Sequence, residues 1–221
     1  MRYTQHFVEA DMADGADLNE ETRMVILDAA AHAFSTKGLA GTRLTDVVEY
    51  LQIPLSAIYP YFPSREHLIE EVMYRGISEM HSHLQKTLEA LPSGVAPLDR
   101  LMAAVEAHLR QVLEFSDYCS AWIRNAGQVP GGISTRQKKL EATYGRIWRT
   151  LFDDAIGDRE TPPGFDVRIA RMLMLGAMNW AAEWWDPHRG SIDTLVATTQ
   201  FLVQSGVESA TGSSAGNRRQ P

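Results

Sequence analysis

A chain of 221 residues with 44% hydrophobic and 22% charged side chains has the composition of a globular protein with its own core. Its formal net charge of −7 excludes a surface coated for nucleic acid but leaves room for a small local DNA-reading face. The single Cys119 excludes an intrachain disulfide, and no apolar run reaches the roughly 20 residues that span a bilayer.

Residues 1–19 are polar and aperiodic, without the apolar core of a signal peptide, and are expected to be a flexible tail in a cytoplasmic protein. Asn19, followed by Glu20 and Glu21, suits a helix start, because an Asx cap and early acids complement the helix dipole. Ile26, Leu27, Ala30, Ala33 and Phe34 make one apolar stripe that Gly38 ends. Thr42 opens a second helix with Leu44, Val47, Val48 and Leu51 inward. A short third helix is expected over Leu55–Tyr61, and Ser64 opens a long fourth one to about Ala90. The breaker "LPSGVAP" (91–97) follows, then helices near 98–115, 117–127, 134–157, 165–186 and 191–208. The Ser/Gly-rich end, 209–221, is expected to be disordered. The sum is an all-α protein of about nine helices and no strands.

Enzyme chemistry finds little support. His81-x-His83 lacks the i, i+4 spacing that puts two ligands on one helix face, so no metal is expected. No Gly-rich loop follows a strand, and neither Ser116-Asp117 nor Cys119 has a positioned histidine. No cofactor is expected.

The stretch "LTDVVEYLQIPLSAIYPYFPSREHL" (44–68) has the rhythm of helix, turn and helix. Leu51, Ile53 and Ile58 supply an interior, but no charge occurs from Pro54 to Pro63. Spacing alone serves an ordinary helical hairpin and a DNA-reading element equally. From Glu20 to Glu66 there are four basic and six acidic residues, so charge does not suggest DNA either.

Residues 22–68 resemble the N-terminal domain of the TetR family of transcriptional regulators. The match rests on Ile26-Leu27-x-Ala29-Ala30, Phe34, Gly38, Thr42, Val47-Val48, Ile58-Tyr59, Tyr61-Phe62 and Ser64-Arg65-Glu66-x-Leu68, without a gap. The sequence departs from the family's habit at Val48, usually small, at Gln52, usually Gly, and at Pro54, where Ser is common. Pro60 removes a bond to the Ser56 carbonyl, so the third helix should kink or end early. The resemblance implies a helix-turn-helix domain over about 20–66 that binds a double-stranded operator. On it Leu55 and Ala57 would meet thymine methyls, and Thr42, Thr45, Ser56, Tyr59 and Tyr61 would meet DNA through their hydroxyls, with Arg43 and Arg65 supplying charge.

It also implies a second domain, about 67–208, that forms a homodimer and holds a small-molecule effector. Trp122, Tyr144, Trp148, Trp180 and Trp184 make that half ring-rich, which suits a core as well as a pocket. Asn179 and Glu183 share a helix face, and a buried amide left unpaired costs roughly 1–3 kcal/mol, so a core partner, a dimer seam or a ligand must satisfy it. These seven residues are the candidate effector site. Met174, Leu175, Met178, Leu195 and Phe201 are the candidate seam. The spacing Arg146-x-Trp148-Arg149, Asp166-x-Arg168, Asn179-Trp180 and Trp184-Trp185-x-Pro187 resembles a branch of the family that senses acyl-CoA thioesters in fatty-acid, steroid or aromatic-acid breakdown. Two alternatives stay open: a helical small-molecule-binding protein with weak or no specific DNA binding, and a drug-responsive repressor whose tryptophans hold a cation.

Overall fold

A computed structural model describes residues 15–129, 134–158 and 161–212. All of its regular structure is helical: α1 (Gly15–Gly41), α2 (Leu44–Leu51), α3 (Arg65–Ala90), α4 (Pro97–Arg110), α5 (Asp117–Asn125), α6 (Thr135–Ile156), α7 (Val167–Trp184) and α8 (Ile192–Gly212). Among the described residues no helix is long and apolar enough to cross a membrane.

The expected third helix is replaced by a 3-10 turn, Leu55–Ala57, so eight α-helices stand where about nine were expected. Pro60 is the physical reason. It has no N–H to give Ser56, and the chain closes through Tyr61 and Phe62 N–H bonds to the Ile58 carbonyl instead, both 2.9 Å. Residues 15–19 belong to α1 and 209–212 to α8; the rest of the expected tails, residues 1–14 and 213–221, lies outside the described residues.

Contacts divide the chain into two compact units. The first holds 1–77 and 117–137, within which α1 packs on α5. Its core is Ile26, Leu27, Ala30, Phe34, Val47, Ile58, Phe62 and Leu68, all buried. Gly76 marks the closest approach of two backbones: a Cβ there would lie 2.3 Å from the Tyr118 carbonyl oxygen, so no larger residue fits. The helix break predicted at Gly38 is present, with φ at 72°. The second unit holds 78–116 and 138–221. In it α4 packs on α8 and α7, around Leu101, Val105, Trp148, Phe152, Met178 and Val203. Asp166 caps α7 by accepting from the Arg168 and Ile169 amides, at 2.8 and 3.2 Å.

Gln52 ends α2 with φ at 58°, the left-handed conformation that side chains resist. A Gln52→Gly substitution is expected to stabilise the protein by about 1 kcal/mol, read as a raised thermal midpoint. A lowered midpoint would show that the Gln52 side chain contributes more than its backbone strain costs.

Candidate functional sites

The turn between α2 and α3 presents a small outward face. Arg43, Thr45, Leu55, Ser56 and Tyr59 are exposed; Ala57 and Tyr61 are partly exposed. Asp46 holds the start of α2 by accepting from the Arg43 amide at 2.6 Å, and that bond keeps its carboxyl below the usual range.

Two of the expected DNA contacts belong to the interior. Thr42 is buried, and its hydroxyl donates to the Gly38 and Ala33 carbonyls at 2.8 and 3.2 Å. The Arg65 guanidinium donates to the carbonyls of Leu39 and Thr42. Both groups are spent on backbone carbonyls of α1 and of Thr42, which follows it. In the unbound chain these bonds hold α1 against the start of α2. Arg43 is therefore the exposed cation of this turn. Arg43→Ala is expected to weaken DNA binding for all sequences alike and to lower the salt slope by about one unit. A changed sequence preference with an unchanged slope would assign Arg43 to base reading instead.

The same unit holds a clamp that sequence reading missed. Asn125 on α5 is fully buried; its Oδ1 accepts from the Leu39 amide at 2.8 Å, and its Nδ2 donates to the Phe34 and Ala121 carbonyls at 3.1 and 2.8 Å. Beside it Asp117 accepts from Ser35 at 2.8 Å and meets His32 at 3.0 Å. Arg124 reaches the Ser35 and Thr36 carbonyls. The last turns of α1, which carry the reading element, are thus fixed by three polar residues of α5. A lone asparagine in the sequence gives no sign of this.

In the second unit, α4, α6, α7 and α8 line a half-open cavity of about 440 Å³, with the exposed Trp184 and Leu202 at its mouth. Its walls include Leu109, Phe152, Ile156, Met178, Ala181 and Val203, and its only hydroxyls are those of Thr198 and Thr199. Among the described residues no charged side chain lines it. An apolar body is what it can hold.

The seven candidate effector residues divide. Trp184 lines the cavity. Tyr144, Trp148 and Asn179 converge on a residue that was not singled out, His108. His108 Nδ1 lies 2.9 Å from the Tyr144 hydroxyl, and Nε2 lies 3.0 Å from Asn179 Oδ1. The amide oxygen accepts, so Nε2 carries the hydrogen and the Tyr144 hydroxyl donates to Nδ1. Trp148 packs edge-on to His108, ring centres 5.7 Å apart. Trp180 and Glu183 are exposed, and Trp122 belongs to the first unit. Asn179 has its partner in the core, the first of the three possibilities its position raised. A histidine within the apolar stripe Leu101, Val105 and Val112 was the signal available for this cluster.

Burial pushes His108 down to about 4, against a small opposite push from Asn179. The sign follows: the unfolded chain takes up this proton near pH 6.5, the folded one near 4, so stability present above 6.5 is lost as pH falls through that window. The loss is about 3 kcal/mol at most. A His108→Gln variant is expected to show a flatter dependence of stability on pH between 7 and 4; an unchanged slope would contradict the neutral, buried imidazole.

The expected seam residues also redistribute. Met174, Met178 and Leu195 line the cavity, and Leu175 is partly buried. Phe201 is exposed, as a seam residue should be. The exposed apolar residues of α7 are Ile169, Met172, Leu173, Trp180 and Trp184, and those of α8 are Phe201 and Leu202.

Two family models match the chain. One, bacterial regulatory proteins of the tetR family, covers residues 26–72; the other, the tetracyclin repressor-like C-terminal domain, covers 94–201. The HTH-type transcriptional repressor KstR2 of Rhodococcus jostii is 21% identical over 194 residues, 86% of this chain and 92% of that protein. The fatty acid metabolism regulator protein of Bacillus subtilis is 20% identical over 181 residues, 81% of this chain and 91% of its own. Among solved structures, AibR in complex with isovaleryl coenzyme A and operator DNA shares 14% identity with a TM-score of 0.67, covering 82% of this chain and 97% of that one. The ketosteroid transcriptional regulator KstR2 of Mycobacterium tuberculosis shares 18% with a TM-score of 0.66, covering 84% and 94%.

Proposed function

The chain belongs to the TetR family of bacterial transcriptional regulators, and on that premise we propose that it is a cytoplasmic homodimeric repressor released from its operator by a coenzyme A thioester. It is a regulator and not an enzyme. The observation that carries the effector class is the uncharged, apolar cavity of about 440 Å³ in the second unit. It suits an acyl chain or fused rings, and it is too small for the nucleotide of coenzyme A as well. A cationic drug is disfavoured, because among the described residues no carboxylate lines the cavity to offset the cost of burying its charge. The names of the relatives point the same way, toward acyl and steroid metabolism and toward isovaleryl coenzyme A.

The apolar face of α7 and α8 supports the homodimer. Leu173, Trp180 and Phe201 are 70%, 64% and 69% exposed, an arrangement that monomers rarely keep. A two-fold reader needs two reading faces at fixed separation. The effector acts only if it binds the released state better than the DNA-bound one.

Trp184 lines the cavity and reports its occupancy. Decanoyl-CoA is expected to quench tryptophan fluorescence saturably at micromolar concentration and to dissociate the DNA upstream of the protein's own gene. Quenching by a cationic aromatic drug and none by the ester would favour the drug-responsive reading. Effector binding with no affinity for that DNA would favour the binding protein that does not read DNA.

A further inference from the structure

The cavity accounts for the apolar part of such a ligand and leaves its polar part unplaced. A second concavity of the same unit offers a place. It is an open groove of about 580 Å³ between α3, α4 and α6, lined by His81, Gln85, Glu89, Arg100, Thr143 and Ile147 among others. Its polar groups are mixed: amide, hydroxyl, imidazole, one carboxylate and one guanidinium. Arg100 is partly buried and has no carboxylate partner among the described residues. Such a lining suits a chain of amides ending in phosphate, the chemistry of the pantetheine arm.

Helix register relates groove to cavity. On α4, His108 lies about 80° round the axis from Arg100 of the groove, and Leu109 of the cavity about 180°. On α6, starting from Thr143 of the groove, Tyr144 and Trp148 lie at about 100° and 140°, and Phe152 and Ile156 of the cavity at about 180° and 220°. On both helices the His108–Tyr144–Trp148 cluster therefore stands between the two concavities. Both ring nitrogens of His108 are satisfied. The Trp148 indole N–H is not: it is wholly buried and has no hydrogen-bond partner among the described residues. A buried donor of this kind is costly unless something accepts from it.

We propose that groove and cavity are two halves of one effector site, divided in this structure by the His108–Tyr144–Trp148 cluster, and that the spare Trp148 indole N–H takes the carbonyl of a thioester where the halves meet. The inference rests on the thioester reading above. The tail then fills the cavity, the carbonyl reaches the cluster, and the pantetheine arm lies along the groove with Arg100 toward its phosphates. The cluster must part to admit the ligand, which makes its hydrogen bonds a condition of the unliganded state.

Three probes separate the parts: decanoyl-CoA, its thioether S-decyl-CoA, which lacks the carbonyl, and decanoate, which lacks the arm. The wild type is expected to bind the thioester about 3- to 10-fold more tightly than the thioether, the worth of one neutral hydrogen bond. Trp148→Phe is expected to bind the two alike. Arg100→Ala, at a partly exposed position that tolerates the change, is expected to weaken both CoA compounds about 10-fold and to leave decanoate unchanged. CoA affinities unaltered in Arg100→Ala, or the thioester preference kept in Trp148→Phe, would overturn the two-part site while leaving the cavity reading intact. Binding of decanoate with no binding of either CoA compound would overturn the thioester reading itself, and this proposal with it.

Discussion

A Leu173→Asp variant is expected to sediment as a monomer at micromolar concentration and to lose operator affinity by about 100-fold or more. Leu173 stands on the exposed apolar face of α7 and lines no part of the cavity. In a two-fold interface each substitution occurs twice. Losing a buried leucine costs about 2 kcal/mol per copy, and an unpaired carboxylate adds more, so the dimer constant shifts by at least about a thousandfold. The fold should survive, because the side chain is outside the core. A stable Leu173→Asp dimer with full operator affinity would place the two-fold seam elsewhere.

Filling the cavity is expected to have the next largest effect. Ala181 is buried and faces the cavity from α7. Ala181→Phe adds a ring to a space of about 440 Å³, which can take it without displacing the core. The variant is expected to remain a folded dimer bound to operator, with effector affinity reduced about 100-fold or more, since the ligand must now share its volume with the ring. The result in a cell is a repressor that does not release. Normal effector affinity in Ala181→Phe would show that the cavity is not where the effector goes.

Both substitutions depend on which face of α7 points where, and this is the part of the structure that the sequence conveyed least. Apolar residues occur nearly all round α7, so periodicity reveals the helix without fixing its phase. Met174, Met178 and Leu195, expected at the seam, line the cavity of the single chain. The helices themselves were legible. Gly38, "LPSGVAP", "TPPG" and "DPHRG" end or separate them because Gly and Pro act locally, through φ and a missing N–H. Pro60 was read correctly for the same reason.

Roles set by long-range partners were not legible. Arg65 looks like a phosphate contact in sequence and is held by two carbonyls more than twenty residues away. His108 needed the distant Tyr144 and Asn179 to acquire meaning. The cavity is built from aliphatic and phenyl side chains of four helices, whereas the ring-rich sequence drew attention to tryptophans. Of these only Trp184 lines it. Volume left unfilled between helices has no residue of its own to betray it.

The central claim is that occupancy of the cavity and occupancy of DNA oppose each other. The most direct measurement is a pair of titrations at one salt concentration: labelled upstream DNA binding with and without saturating decanoyl-CoA, and decanoyl-CoA binding with and without saturating DNA. Linkage requires the two ratios of affinity to be equal, and a coupling of 1–3 kcal/mol makes each about 5- to 150-fold. Equal factors in that range are expected, with each ligand weakening the other. Operator affinity unchanged at saturating ester would contradict the claim.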